Sequence, residues 1–130
     1  MTTDQKFRPR ERIKDPGDFR RAFDRKRSVS DAALIVYGVE NGLDHARLGL
    51  SVSRRRVRLA TDRNRIKRLI REAFRLSKAE LPPGVDLVVL PRSPKLTFDQ
   101  VRASLPALAR DASRRLRSSR PKPNPPKPAL

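Results

Sequence analysis

Phe19, Ala22 and Phe23 recur at the i, i+3, i+4 spacing of one helix face. Just ahead of them stands Asp15-Pro16-Gly17-Asp18, where Asp15 can cap, Pro16 suits the first turn and Asp18 complements the positive helix end. Ala32 to Val39 is an aliphatic run that reads as a strand. Arg47 to Ser53 alternates, with Leu48, Leu50 and Val52 on one side. Asn41-Gly42 signals a turn between them, so the two are expected to form a hairpin whose loop is lengthened by Leu43-Asp44-His45. Residues 54–60, Arg-Arg-Arg-Val-Arg-Leu-Ala, fit either a short strand or a basic connection.

The clearest periodicity follows. Ile66, Leu69, Ile70, Ala73 and Phe74 make one apolar stripe, which predicts a helix capped by Thr61 or Asp62, running to about Ala79 and stopped by Pro82-Pro83-Gly84. Val85 to Leu90 is a compact apolar run of strand length. A last helix is expected from near Thr97, with Gln100 placed for a capping box and Val101, Leu105, Leu108, Ala112 and Leu116 inward. Pro106 should kink or divide it. The order is α-β-β-(β)-α-β-α, an α+β chain with helices packed on a small sheet. Residues 1–12 read as a flexible basic segment and 13–117 as the folded domain. Residues 118–130, with five of the chain's twelve prolines, read as a disordered basic tail.

Charge narrows the function. Lys and Arg number 32 against 14 Asp and Glu, for a net charge of +18 on 130 residues. Such a body repels itself unless a polyanion neutralises it. Arg outnumbers Lys, and its planar fork suits phosphate. Nucleic acid is the favoured partner; a membrane surface fits poorly, because the basic segments lack broad Trp, Phe and Leu faces. The absence of Cys excludes disulfides, thiolate metal sites and a cysteine nucleophile, and the single His45 excludes multi-histidine sites. No apolar run approaches the roughly 18 residues of a membrane span, so a soluble, cytoplasmic protein is expected.

The helix over 63–75 carries this charge on one side. Asn64, Lys67, Arg68, Arg71 and Arg75 lie opposite the apolar stripe, Arg63 and Arg65 flank the first turn, and only Asp62 and Glu72 offset them. A solvated face would intersperse Glu with Lys at i, i+4. A one-signed face on an anchored helix is instead a footprint for phosphates, and the Asn64 amide suits a base edge or ribose.

Arg-Asn-Arg-Ile-Lys-Arg-Leu-Ile-Arg-Glu-Ala-Phe-Arg at 63–75 resembles the signature helix of the bacterial ribonuclease P protein component. Gly49-Leu50-Ser51-Val52-Ser53, the Asp18-Phe19…Phe23 helix and the Ile35-Val36-Tyr37 strand agree with it, and the likeness extends over residues 12–117. It implies an α/β sandwich of order α-β-β-β-α-β-α with a four-stranded sheet, like domain 2 of ribosomal protein S5. It also implies a protein subunit, monomeric in the holoenzyme, that binds a catalytic RNA and helps to remove 5′ leaders from precursor tRNA. By the same resemblance Arg63, Asn64, Arg65, Lys67, Arg68 and Arg71 meet the RNA subunit, and Arg75 shares their face. Phe19, Phe23 and Tyr37 line a cleft for the single-stranded leader, where aromatic faces stack with little sequence preference. One segment departs from the family pattern: Arg54 to Asp62 contains no Gly and is one residue longer. The Gly usual after the first helix is also replaced around Arg27.

No catalytic residue is expected in the chain. The acids are scattered in sequence, and a lone His45 in a loop makes a poor Ser–His partner. Mg²⁺ held mainly through the RNA subunit is expected to activate water. Two other readings compete: a ribosomal or general RNA-binding protein without a processing role, and a DNA-binding helix-turn-helix protein. The second wants two short helices ahead of the basic face, where the sequence is strand-like.

Overall fold

The computed structural model describes residues 8–118; of the tail expected over 118–130 it includes only Ser118. Three helices, α1 (Pro16–Arg25), α2 (Ala60–Leu76) and α3 (Phe98–Ser118), and four strands, β1 (Ser28–Ser30), β2 (Leu34–Glu40), β3 (Arg47–Leu50) and β4 (Val85–Pro91), follow the expected order. Asp15 caps α1 as its sequence predicts, its Oδ1 accepting from the Gly17 N–H at 2.8 Å. The capping box of α3 is also formed, with the Thr97 N–H donating to Gln100 Oε1 at 2.9 Å and the Gln100 N–H to Thr97 Oγ1 at 3.3 Å.

Other local expectations are corrected. Neither Thr61 nor Asp62 caps α2: the N-cap is Leu59, without a side-chain bond. Its start follows instead from Val57, whose side chain is fully buried and anchors the chain just before the first turn. The helix ends at Leu76, earlier than the prolines require, because the Ser77 N–H bonds the carbonyls of both Ala73 and Phe74 and tightens the chain into a 3₁₀ turn. Pro106, expected to kink or divide α3, lies inside one helix that runs unbroken from Phe98 to Ser118. Buried Leu105, Leu108 and Ala109 on both sides of it hold the helix on the sheet. Residues 54–56 form a turn, and the additional strand is Ser28–Ser30, too short and polar to stand out in the sequence.

The sheet order is β1-β2-β4-β3, so the hairpin expected between β2 and β3 does not exist. β4 lies between them, antiparallel to β2 from Leu34↔Pro91 to Glu40↔Val85 and parallel to β3 from Arg47↔Asp86 to Leu50↔Val89. The reason is burial. β4 is the most continuously buried strand, and a central position lets it bury both faces. A parallel neighbour needs a crossover, and the crossover is α2.

Alternation divides the sheet into two faces. Leu34, Val36, Leu48, Leu87 and Val89 join Ile66, Ile70 and Phe74 of α2 and Val101, Leu105 and Leu116 of α3 in the main core. On the other face Ile13, Ala22, Val39 and Val88 are buried, and Phe19, Phe23, Tyr37 and Leu90 are only partly covered. One short helix, α1, is too narrow a lid for that side. Residues 8–12, expected to be flexible, are folded: Pro9–Glu11 is a 3₁₀ turn and the Ile13 N–H bonds the Leu48 carbonyl at 2.9 Å along the outer edge of β3. Glu11 is buried there, its carboxylate 2.8 Å from Lys78 Nζ and accepting from the Arg8 N–H. That pairing, invisible to local sequence, orders the segment.

Candidate nucleic-acid interface

The apolar stripe of α2 is spent inward, with Ile66, Ile70, Ala73 and Phe74 essentially inaccessible. Asn64, Arg68 and Arg71 are therefore exposed on the opposite side. No ion pair holds Arg68 or Arg71 among the described residues. Arg75 is different: its guanidinium binds Glu72 at 2.5 and 3.1 Å. Hydrogen bonding within this pair holds the Arg75 guanidinium above, and the Glu72 carboxyl below, their ordinary pKa values. One cation of the face is thereby locally neutralised.

Arg63 and Arg65 also do something the sequence does not announce. Arg63 Nη1 donates to the carbonyls of Val57 and Arg58, both at 3.0 Å. Arg65 donates to Leu96 at 2.8 Å and to Pro94 at 2.7 Å. Each clamps a neighbouring connection against α2.

Under α1 the three aromatics assemble. Phe23 and Tyr37 meet edge to face with centroids 4.9 Å apart. Phe19 lies over Gly49, where a Cβ would come within 2.8 Å of its ring. Gly49→Ala is expected to push Phe19 aside and to cost about 1–3 kcal/mol, read as a lower urea midpoint; an unchanged midpoint would mean the ring does not rest on Gly49. Phe19 also lines a cavity of about 170 Å³ together with Arg12, Ile13, Leu48, Leu50, Lys67 and Arg71. The aromatic cleft and the basic flank of α2 are thus one continuous surface. Arg12 belongs to it, and sequence reasoning missed Arg12 by assigning it to a flexible segment.

A second missed feature holds α1 in place. Asp86, the one acid in the apolar run from Val85 to Leu90, is fully buried. It accepts from Arg47 Nε at 2.8 Å, Arg47 Nη2 at 2.6 Å and Asn41 Nδ2 at 2.9 Å. Two residues of α1 close the network: Arg21 Nη2 donates to Asp86 at 3.4 Å, and Asp18 accepts from Arg47 at 3.3 Å. Hydrogen bonding to Asp86 raises the pKa of Arg47. The pairing fixes α1 over the sheet and so sets the position of Phe19 and Phe23. Among the described residues no cluster of three or more His, Cys, Asp or Glu has the arrangement of a metal site, and no helix is long and apolar enough to cross a membrane.

The fold is shared with known proteins. A family model described as Ribonuclease P matches residues 7–113. The "Ribonuclease P protein component" of Methylococcus capsulatus is 48% identical over 83 residues, 64% of this chain and 64% of its own. That of Thioalkalivibrio sulfidiphilus is 41% identical over 107 residues, 81% of this chain and 88% of its own. Among solved structures, the ribonuclease P protein of Thermotoga maritima superposes with a TM-score of 0.70 at 36% identity, covering 78% of this chain and 96% of that one.

Proposed function

The chain belongs to the bacterial ribonuclease P protein family, and from that premise we propose that it binds the catalytic RNA through the outer face of α2 and the 5′ leader of precursor tRNA through the aromatic cleft. A ribonuclease P protein component is the protein part of a ribonucleoprotein that processes tRNA. In this reading one copy of the chain serves each holoenzyme, in the cytoplasm, and the RNA subunit carries out phosphodiester cleavage.

What supports the reading is one observation above the rest: Arg68 and Arg71, exposed and without an ion pair among the described residues, on a helix anchored by a full apolar stripe, with Arg71 also lining the cavity that Phe19 shares. A rigid cationic surface binds phosphates in proportion to the counterions it releases. An adjoining patch of half-buried aromatics can stack on unpaired bases without reading them. Asp18, Glu72 and Asp86 each pair with an arginine. This donor set does not fit a dedicated cation cage, and Mg²⁺ is assigned to the RNA. The chain's own part is to neutralise backbone charge, hold the leader extended and keep the two RNAs adjacent.

Reconstitution with the RNA subunit and a precursor tRNA tests this. The protein is expected to lower the Mg²⁺ concentration needed for cleavage and to favour precursor over mature tRNA. Tyr37→Ala is expected to reduce that preference several-fold while RNA-subunit affinity is kept, since stacking is worth about 1–3 kcal/mol per base. Equal affinity for precursor and mature tRNA in the wild type would reduce the chain to a general RNA binder. Cleavage by the protein without RNA would transfer the chemistry to the chain.

A further inference from the structure

A second basic concavity lies on the other flank of α2, away from Phe19, and neither surface described above uses it. Its first wall is the segment that departs from the family pattern. The chain turns at Arg54–Arg56, where the Arg56 N–H donates to Ser53 Oγ at 3.2 Å, and the Val57 N–H bonds the Ser53 carbonyl at 3.0 Å. Val57 plugs into the core, so Arg55, Arg56 and Arg58 remain exposed, and no carboxylate forms an ion pair with them among the described residues. Leu59 follows, 62% exposed, and adds an apolar side chain to this basic surface. Pro94 supplies the opposite wall. Arg55, Arg56, Arg58, Leu59, Asp62 and Pro94 together line a cavity of about 580 Å³, within the roughly 300–1,000 Å³ that small ligands occupy.

Both walls are held from α2. Arg63 clamps the carbonyls of Val57 and Arg58, while Arg65 clamps those of Pro94 and Leu96. The two arginines of the Arg-Asn-Arg motif thus act as positioning residues that fix the gap between two connections. The lining combines three kinds of chemistry. Three guanidinium groups suit a phosphate. An apolar flank of Leu59 and Pro94 suits the face of a base. The one carboxylate of the lining, Asp62, stands in the first turn of α2, where it complements the positive helix end, and it can also accept a hydrogen bond from a ribose 2′-hydroxyl.

We propose that this concavity is a ribonucleotide subsite, which takes one unpaired nucleotide of the RNA subunit. Arg55, Arg56 and Arg58 hold its phosphate, Asp62 accepts from its 2′-hydroxyl, and the base rests against Leu59 and Pro94. The proposal depends on RNA being the partner, as argued above, and adds a contact outside the outer face of α2.

The test uses the full chain and the RNA subunit, with affinity measured across a salt series. Arg55→Ala/Arg56→Ala/Arg58→Ala is expected to retain its thermal midpoint, to bind about tenfold more weakly and to lose about one to two units of salt slope. Asp62→Ala decides by sign. On electrostatics alone, removing an acid strengthens RNA binding, whereas losing a ribose contact weakens it by about three- to tenfold, the net worth of one ordinary hydrogen bond. With RNA carrying 4-thiouridine, irradiation is expected to place adducts on the peptide containing Leu59, and these disappear in the triple variant. A triple variant with wild-type affinity and slope, tighter or unchanged binding by Asp62→Ala, or no adduct at Leu59 would overturn the subsite. If wild-type protein does not bind the RNA subunit, the functional reading itself falls. If it binds and only the loop variants are silent, the subsite alone falls.

Discussion

Replacing both Arg68 and Arg71 by Glu is expected to weaken binding of the RNA subunit by about a hundredfold and to leave the folded state intact. Two charge-assisted contacts at about 1.5 kcal/mol each account for that factor, since 1.4 kcal/mol is tenfold. The affinity should also depend less on salt, with a slope lower by about one to two units. Stability should hold because both side chains are exposed and no ion pair engages them among the described residues, and such surface changes stay within about 0.5 kcal/mol. Titration of the RNA subunit at several salt concentrations, beside a thermal melt, separates the two quantities. A variant that melts early, or one that binds as tightly as the wild type, would take the outer face of α2 out of the interface.

Asp86→Ala should produce the largest loss of stability, about 3–5 kcal/mol, or on the order of 15 °C in Tm for a domain of this size. The carboxylate is wholly buried and receives two bonds from Arg47 and one from Asn41. Its removal leaves Arg47, with a side chain only 19% exposed, with Asp18 as its one ion-pair partner among the described residues. A double-mutant cycle distinguishes pairing from bulk. Arg47→Met/Asp86→Leu should cost less than the sum of the single changes, because an apolar pair of similar volume avoids an orphaned charge. Additive costs would show that the network contributes nothing beyond its separate members. The single variant should also lose leader discrimination, since Asp18 and Arg21 anchor α1 and α1 carries Phe19 and Phe23.

The sequence makes some of this legible and conceals the rest, for physical reasons. Capping chemistry is local, so Asp15 and the Thr97–Gln100 box could be read directly. The stripe from Ile66 to Phe74 is equally local, and it correctly separated the buried side of α2 from the exposed one. Alternation in 47–53 identified a strand but carried no information about its neighbour, and the Asn41-Gly42 turn suggested the wrong one. Gly42 does take a positive φ of 70°, yet the chain leaving it crosses to the far side of β4. Asp86 was hidden because a single acid in Val-Asp-Leu-Val-Val-Leu does not alter strand propensity, and its partners are 39 or more residues away. The same limit applies to Arg63 and Arg65. Their spacing marks them as cations on a helix, but only coordinates show that they grip main-chain carbonyls. Arg12 was lost to a compositional rule, since a polar stretch next to a terminus reads as loose until Glu11 finds Lys78.

The strand order has a consequence for synthesis. Because β4 separates β2 from β3, a nascent chain that has emerged only as far as α2 holds both flanking strands without the one that joins them. Each then presents an unsatisfied edge, and closure awaits the emergence of residue 91. Such nonlocal pairing folds slowly. The segment displayed meanwhile includes the arginine-rich helix, already able to attract any nearby polyanion before its apolar stripe has a sheet to cover. Truncation ahead of Pro91 should accordingly yield an aggregating, promiscuously sticky fragment instead of a smaller working domain.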